Sequence, residues 1–83
     1  MSNAHTVIGA TVREARHELG LSQEQLAWLA GLSRSAIEGV ESGAGMLWAQ
    51  FVQLATVLHI DLDALDARLA EFGGNAGEPH AAA

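Results

Sequence analysis

The amino-acid sequence predicts an all-α fold, with five short helices in a single domain. Three observations carry this prediction. Apolar residues recur at helical spacing in five successive segments, and no segment shows the alternation that is typical of a strand. Serine or aspartate precedes three of these segments and glycine follows three of them, as expected at helix ends. The chain of 83 residues has the length of one domain, and 49% of its residues are hydrophobic, which is enough for a core.

The first two helices are predicted over residues 6–18 and 22–30. A glycine follows each of them, in the position where left-handed backbone ends a helix. Ser22, with Gln25 three residues later, matches the pattern of a capping box at the start of the second helix. The residues predicted to face the core are Ile8, Val12, Ala15 and Leu19 in the first helix, and Leu26, Leu29 and Ala30 in the second.

The other three helices are predicted over residues 33–42, 47–58 and from residue 62 onwards. Ser33 and Asp61 are the predicted N-caps of the third and the fifth helix. The residues predicted to face the core are Ile37 and Val40, then Phe51, Leu54, Ala55 and Leu58, and finally Leu62, Leu65, Leu69 and Phe72.

The folded domain is predicted to span residues 6–72. Residues 1–5 are interpreted as an N-terminal arm, in which Ser2, Asn3 and Ala4 look like a cloning remnant. Residues 73–83 contain two adjacent glycines, one proline and three terminal alanines, and we expect them to form a flexible tail.

The charge of the chain is acidic and unevenly distributed. The formal net charge is −6 at pH 7, and the sequence contains no lysine. Residues 1–35 hold equal numbers of arginines and acidic residues, so the excess of acid lies in residues 36–83. An acidic balance argues against non-specific binding to nucleic acid, although the neutral first part of the chain weakens that argument.

Several function classes are disfavoured by residues that are missing or scattered. There is no cysteine, so disulfides and thiolate metal sites are excluded. The four histidines share no ligand spacing, and no nucleophile, base and orienting group stand together. We therefore predict no metal, no cofactor and no enzymatic activity. No apolar run approaches the roughly 20 residues of a membrane span, and no secretory signal pattern is found, so we expect a cytoplasmic protein without a membrane partner.

The second and third predicted helices are separated by Gly31 and Leu32 alone, which is the spacing of a helix-turn-helix unit. Four stretches carry a resemblance to a known family: LSQEQLA at 21–27, AGLSRSAI at 30–37, ESG at 41–43 and HIDLDAL at 59–65. Over residues 8–69 the chain resembles the Cro/repressor, or XRE, family. The resemblance implies a five-helix Cro/repressor-type bundle with a helix-turn-helix formed by helices 2 and 3. It also implies a transcription regulator that binds double-stranded DNA as a homodimer on an inverted-repeat operator.

By this resemblance, the third helix is the recognition helix, whose N-terminal side chains reach base edges in the major groove. The implied DNA contacts are Gln23, Ser33, Arg34, Ser35 and Glu38. Arg13, on the outer face of the first helix, is either a further phosphate contact or a solvated charge. Arg34 can bond guanine O6 and N7 together or bind a phosphate. Glu38 either accepts from a cytosine amino group or is a solvated charge that repels phosphate. Gln23 stands at a helix start, where its amide and free backbone N–H groups can meet a phosphate.

Two further expectations follow from the match to this family. Arg16 and Glu41 occupy positions that tend to pair beneath the recognition helix, so we predict a buried, charge-assisted contact of about 2.7–2.9 Å between them. His59 stands where the family commonly has a glycine at the end of the fourth helix. If the residue at this position must adopt a positive φ, histidine does so more readily than most residues other than glycine, at a cost of about 1 kcal/mol.

The fourth helix carries more apolar residues than one face requires. The extra residues are Met46, Leu47, Trp48 and Val52, and we predict that they form a dimer interface; the alternative is a broad core stripe. Trp28, on the second helix, is interpreted as a packing residue. After Gly43, where the family often has basic and polar residues, this chain has the apolar stretch AGMLW at 44–48. That departure favours an alternative function, a protein–protein interaction module of the same fold with weak or no DNA binding.

Overall fold

The computed structural model describes residues 3–73, with side chains described for residues 4–71. The described chain folds into five α-helices and contains no strand. The helices are α1 (Asn3–Glu18), α2 (Gln23–Ala30), α3 (Arg34–Glu41), α4 (Trp48–Leu58) and α5 (Leu62–Gly73). This confirms the predicted all-α, five-helix class. Within the described residues, no helix combines the length and the hydropathy that a membrane span requires.

The first helix begins earlier than predicted. It starts at Asn3 rather than Thr6, so residues 3–5 belong to α1 and not to an arm. The prediction was wrong because it placed the helix start at the first threonine, although no glycine or proline stands between Asn3 and Thr6 to interrupt a helix. Residues 1–2 of the predicted arm lie outside the described residues. Gly73 ends α5, and the rest of the predicted tail, residues 74–83, also lies outside them.

The predicted caps are present at the helix starts. The Ser22 hydroxyl accepts a hydrogen bond from the backbone N–H of Gln25 (3.0 Å), and the Gln25 side chain accepts one from the backbone N–H of Ser22 (2.7 Å). The Ser33 hydroxyl accepts from the backbone N–H of Ala36 at 3.1 Å, and the Asp61 carboxylate caps α5 in the same way. These bonds satisfy N–H groups that have no partner within the helix.

His59, which stands where the family commonly has a glycine, ends α4 in the left-handed conformation, with φ of 58°. Its N–H donates to the Thr56 carbonyl at 3.4 Å, and the N–H of Ile60 donates to the Ala55 carbonyl at 2.9 Å. A residue with a Cβ pays about 1–2 kcal/mol for this conformation. The short turn that follows brings α5 back across the bundle, where it packs on α1.

The core lies where α1 packs on α3, α4 and α5, and where α2 packs on α3 and α4. Its buried apolar residues are Val7, Val12, Leu26, Ala27, Ala30, Ile37, Val40, Phe51, Leu54, Ala55, Leu58 and Leu65. Three leucines that were predicted to face the core, Leu19, Leu29 and Leu62, are instead exposed. Leu19 follows the last residue of α1, so the helical period no longer places it on the inner face. Leu29 lies roughly a quarter-turn from the face that Leu26 and the two alanines of α2 bury.

Gly9 marks the closest approach of α1 to α3. A Cβ atom at this position would lie 2.4 Å from the carbonyl oxygen of Val40 and 3.0 Å from that of Glu41. Both neighbours are backbone atoms, which cannot turn away as a side chain can. Only glycine therefore allows the C-terminal end of α3 to pack this closely on α1.

We expect Gly9→Ala to lower the free energy of unfolding by about 1–3 kcal/mol, because the new methyl group overpacks a backbone contact. Gly39→Ala is the matched control: its Cβ would meet only the Ala44 Cβ, at 3.8 Å. This second variant gains helix propensity and should be more stable than the parent by up to about 1 kcal/mol. Urea unfolding followed by circular dichroism measures both changes. Equal effects of the two substitutions would contradict the close packing inferred at Gly9.

Candidate nucleic-acid interface

The helix-turn-helix unit consists of α2, α3 and the turn between them. Gly31 ends α2 with φ of 70°, and the N–H of Leu32 donates to the Ala27 carbonyl at 2.9 Å. Ser33 then caps α3. The turn is thus closed by its own hydrogen bonds and holds the two helices in one fixed relation.

Helix α3 separates its apolar and polar residues between two faces. Ile37 and Val40 are buried in the core, whereas Arg34, Ser35 and Glu38 are exposed. The structure therefore places three of the predicted DNA contacts on the outer face of α3, in its first half and its middle, which no other helix covers within residues 3–73. Their roles toward DNA stay predictions.

Arg16 and Glu41 form the predicted ion pair beneath α3. The Arg16 Nε donates to Glu41 Oε2 at 2.7 Å, and Nη2 donates to Oε1 at 2.9 Å, so the pair is bidentate. The remaining Arg16 nitrogen, Nη1, donates to the Leu21 carbonyl at 3.0 Å. The side chains are only 11% and 4% exposed. All donor nitrogens of Arg16 are therefore used inside the protein, and Arg16 is structural.

Glu41 also accepts hydrogen bonds from Gln23 and Arg13, two of the predicted DNA contacts. The sequence analysis did not predict these bonds. The Gln23 amide nitrogen donates to Glu41 Oε1 at 3.1 Å. The Arg13 Nη2 donates to the backbone carbonyl of Glu41 at 2.9 Å, and its Nε lies 3.9 Å from Oε1. These partners stand 18 and 28 residues from Glu41 in the chain, so no periodic pattern could have indicated the contacts.

The network determines the charge state of its members. Burial by itself raises the pKa of Glu41. The hydrogen bonds from Arg16 and Gln23 and the charges of Arg16 and Arg13 lower it, and together they outweigh burial, so the pKa of Glu41 lies below its ordinary value. The hydrogen bond to Glu41 raises the pKa of Arg16, against the opposing effect of burial. Both groups are consequently charged near neutral pH.

The start of α2 and the start of α3 share one surface. Arg16, Ser22, Gln23, Glu24 and Arg34 line a single open depression. The predicted phosphate contact Gln23 and the predicted base contact Arg34 are therefore neighbours. Arg13 joins them through Glu41.

Arg34 is paired across one helical turn with Glu38. The Arg34 Nε lies 3.1 Å from Glu38 Oε2, and both side chains are more than half exposed. An exposed pair of this kind contributes only a few tenths of a kcal/mol to stability. The pair has a larger effect on the local charge of this surface, because two acidic side chains, Glu24 and Glu38, lie beside the exposed positive charge of Arg34.

The apolar surface of α4 is largely exposed, as a dimer interface requires. Leu47, Trp48 and Val52 are exposed, and the Trp48 ring leans on Phe51 with 5.8 Å between ring centroids. Met46 differs from these three, since it is half-buried and packs against the core.

Trp28 is 81% exposed, so its interpretation as a packing residue was wrong. It lies about half a turn from Leu26 on α2 and therefore faces away from the core. Together with Leu21 and Leu29 it lines an apolar surface beside the start of α2. Among the described residues, no group of three or more potential ligands is placed to hold a metal ion.

Comparisons with known proteins agree with this geometry. A family model described as a helix-turn-helix domain matches residues 7–69. The crystal structure of the restriction-modification controller protein C.AhdI from Aeromonas hydrophila is 42% identical, with a TM-score of 0.67; the match covers 74% of this chain and 94% of that one. No match is found among curated proteins.

A second controller has the same fold at lower sequence identity. Wild-type C.Esp1396I is 21% identical, with a TM-score of 0.72, over 86% of this chain and 94% of that one. C.Esp1396I bound to a 19 base pair DNA duplex is also 21% identical, with a TM-score of 0.71, over 84% and 95% of the two chains.

We expect the stability of the protein to fall at acidic pH through Glu41. Because the pKa of Glu41 is lower in the folded than in the unfolded state, its contribution is fully present above about pH 4.3. It is lost as the pH falls from there through the lowered pKa of the folded protein. Glu41→Gln should remove this part of the pH dependence and lower the free energy of unfolding by about 3–5 kcal/mol at neutral pH, since Arg16 is left buried without its partner.

The measurement is chemical unfolding of both proteins between pH 7 and pH 3. An NMR titration of the Glu41 carboxylate in the parent serves as an independent reading if the variant is too unstable to fold. An ordinary or raised pKa for Glu41 would contradict the inferred network.

Proposed function

The chain belongs to the helix-turn-helix domain family, and on that basis we propose that it is a sequence-specific DNA-binding transcription regulator that acts as a homodimer on an inverted-repeat operator. The observation that carries the proposal is the exposed polar start of α3, which shares one surface with the start of α2. This is the arrangement in which a recognition helix enters the major groove while the preceding helix crosses the backbone. We propose a cytoplasmic location, because a regulator must reach its operator DNA.

We further propose that the regulated genes belong to a restriction–modification system. Support comes from the 42% identity to C.AhdI, which extends over 94% of that controller protein. C.Esp1396I, which has the same fold, binds a 19 base pair DNA duplex in its structure, and this supports the proposed DNA binding.

The described side chains suggest how the contacts are divided. Arg34, Ser35 and the adjacent Ser33 lie at the start of α3, where they face base edges. Gln23 uses one amide hydrogen on Glu41 and keeps the second for a phosphate. Arg13 is half-exposed and adds a second, charged phosphate contact.

The proposed dimer uses the exposed face of α4 around Leu47, Trp48 and Val52, with Met46 at its inner edge. In a closed homodimer with a two-fold axis through this face, the same surface of each subunit contacts its copy, so the face must be self-complementary. Each half-site of the operator then receives one copy of α3, with about 34 Å between the two copies.

We expect Arg34→Ala to weaken binding to the operator by about 1–3 kcal/mol and to relax one base position in each half-site. Arg13→Ala should instead weaken binding to all sequences alike, because a phosphate carries no sequence information. The matched control is Arg68→Ala, which removes an equal charge on α5, where Arg68 contacts Thr11 and Glu14. Its affinity should stay close to that of the parent.

The measurement begins with selection of bound duplexes from a random pool at low salt, followed by titration of the enriched sequence at two salt concentrations. With few cationic groups, the dimer should neutralise roughly two to four phosphates, which gives a salt slope near −2 to −4. Binding by Arg34→Ala equal to that of the parent would show that α3 is not the reading helix. Failure of every duplex to bind at low salt would replace the regulator with the interaction module.

We expect Trp48→Glu to convert the dimer into a monomer at micromolar concentration, because it places a charge in the centre of the apolar interface. Trp28→Glu is the matched control, since it changes an equally large exposed side chain on α2 and should leave the dimer intact. Sedimentation velocity distinguishes the two states. A parent protein that sediments only as a monomer would contradict the proposed interface.

A further inference from the structure

We infer that Glu38 determines the sequence specificity of the recognition helix, because it directs Arg34 to a guanine in the operator and excludes phosphate from it. The inference rests on the proposed function, and it goes beyond the two roles that the sequence left open for Glu38. Glu38 neither acts alone on a cytosine nor only repels DNA; it acts together with Arg34.

The geometry of the pair leaves one edge of the guanidinium free. Glu38 Oε2 lies 3.1 Å from the Arg34 Nε, at the side of the guanidinium nearest the helix. The two terminal nitrogens, Nη1 and Nη2, stand at the far end, and neither donates a hydrogen bond to a described residue. Two parallel N–H donors at the end of an arginine match the O6 and N7 acceptors of guanine.

The negative charges beside Arg34 favour a base over a phosphate as its partner. A phosphate bound to this guanidinium would carry its negative charge close to the Glu38 carboxylate, and the second carboxylate of the same surface, Glu24, lines the depression with Arg34. Like charges at this separation repel each other. The guanine edge accepts the same two hydrogen bonds without a net charge, so it does not meet this repulsion.

The pair also matches the hydrogen-bond pattern of a G·C pair more fully than arginine alone. In the major groove, guanine presents two acceptors and its cytosine presents an amino donor. The Arg34–Glu38 pair presents two donors at the guanidinium end, and the second carboxylate oxygen, Oε1, as an acceptor. The salt bridge favours this position of the arginine before DNA is bound without fixing it, which lowers the entropy lost on binding by a small amount.

The test compares the parent with Glu38→Ala and Glu38→Gln on three kinds of duplex: the enriched operator, its single base pair substitutions, and a random duplex of the same length. Glu24→Ala is the matched control, because it removes an equal charge from the same surface without touching the salt bridge. Each variant is first checked for the parent's thermal unfolding midpoint, which an exposed substitution should preserve.

We expect Glu38→Ala to bind the random duplex several-fold more tightly and to lose about tenfold of the preference for guanine at one position in each half-site. Its salt slope should become steeper by about 0.9 for each phosphate that the released Arg34 neutralises. Glu38→Gln, which keeps the shape but not the charge, should show the same steeper slope. Glu24→Ala should raise both affinities together and keep the base preference.

A double variant then tests whether Glu38 acts through Arg34. In an Arg34→Ala background, Glu38→Ala should change no base preference. The inference is overturned if Glu38→Ala raises specific and random affinities equally with the base preference unchanged, or if it alters that preference in the absence of Arg34. A parent that discriminates no sequence at all overturns the proposed function, and this inference with it; a parent that discriminates while the Glu38 variants do so equally well overturns the inference alone.

Discussion

The ion pair between Arg16 and Glu41 is the contact on which the arrangement of α1, α2 and α3 depends. Its carboxylate receives two hydrogen bonds from α1 and one from Gln23 of α2, while the end of α3 that carries it lies against Gly9. A buried ion pair adds little net stability compared with apolar residues of the same size, yet losing one partner is costly. Its main effect here is on the relative orientation of α1 and α3, because a bidentate pair restricts the geometry of the two side chains that it joins.

The same network explains how an acidic chain can present a surface to DNA. The negative charge of Glu41 is balanced inside the protein by Arg16, and hydrogen bonds to Glu41 hold Gln23 and Arg13 at the surface. What remains exposed at the start of α3 is one arginine with an acidic neighbour, which supplies little attraction to phosphate. We therefore expect affinity for DNA in general to be low, so that the difference between a correct and an incorrect sequence would depend on a few base contacts. A regulator gains from that ratio, because competing genomic sites far outnumber the operator.

Sequence reasoning succeeded where a local rule applies and failed where a short helix leaves several faces open. The caps at Ser22 and Ser33 follow from local backbone chemistry, and they were predicted. At His59 only the family resemblance marked a position that commonly holds glycine, and the structure shows left-handed backbone there. Helix α2 has only eight residues, so its periodicity could not tell the face of Leu26 and the two alanines from that of Leu29, and Trp28 was misplaced for the same reason. The Arg16–Glu41 pair came from the family resemblance, whereas the bonds that Gln23 and Arg13 make to it depend on tertiary packing and left no trace in the sequence.

The proposed dimer face and the reading face are connected by the core rather than by a flexible link. Helix α4 packs on α1 and α2 through Phe51, Leu54, Ala55 and Leu58, and its outer residues are those proposed to meet the second subunit. Closely packed interiors transmit small displacements instead of absorbing them. In the proposed dimer, a change in the volume of this core would shift α3 relative to the two-fold axis, whereas the two recognition helices must match successive major grooves about 34 Å apart. If the protein binds DNA as this dimer, the spacing of the operator half-sites depends on the packing between α4 and the helix-turn-helix, although those side chains are buried.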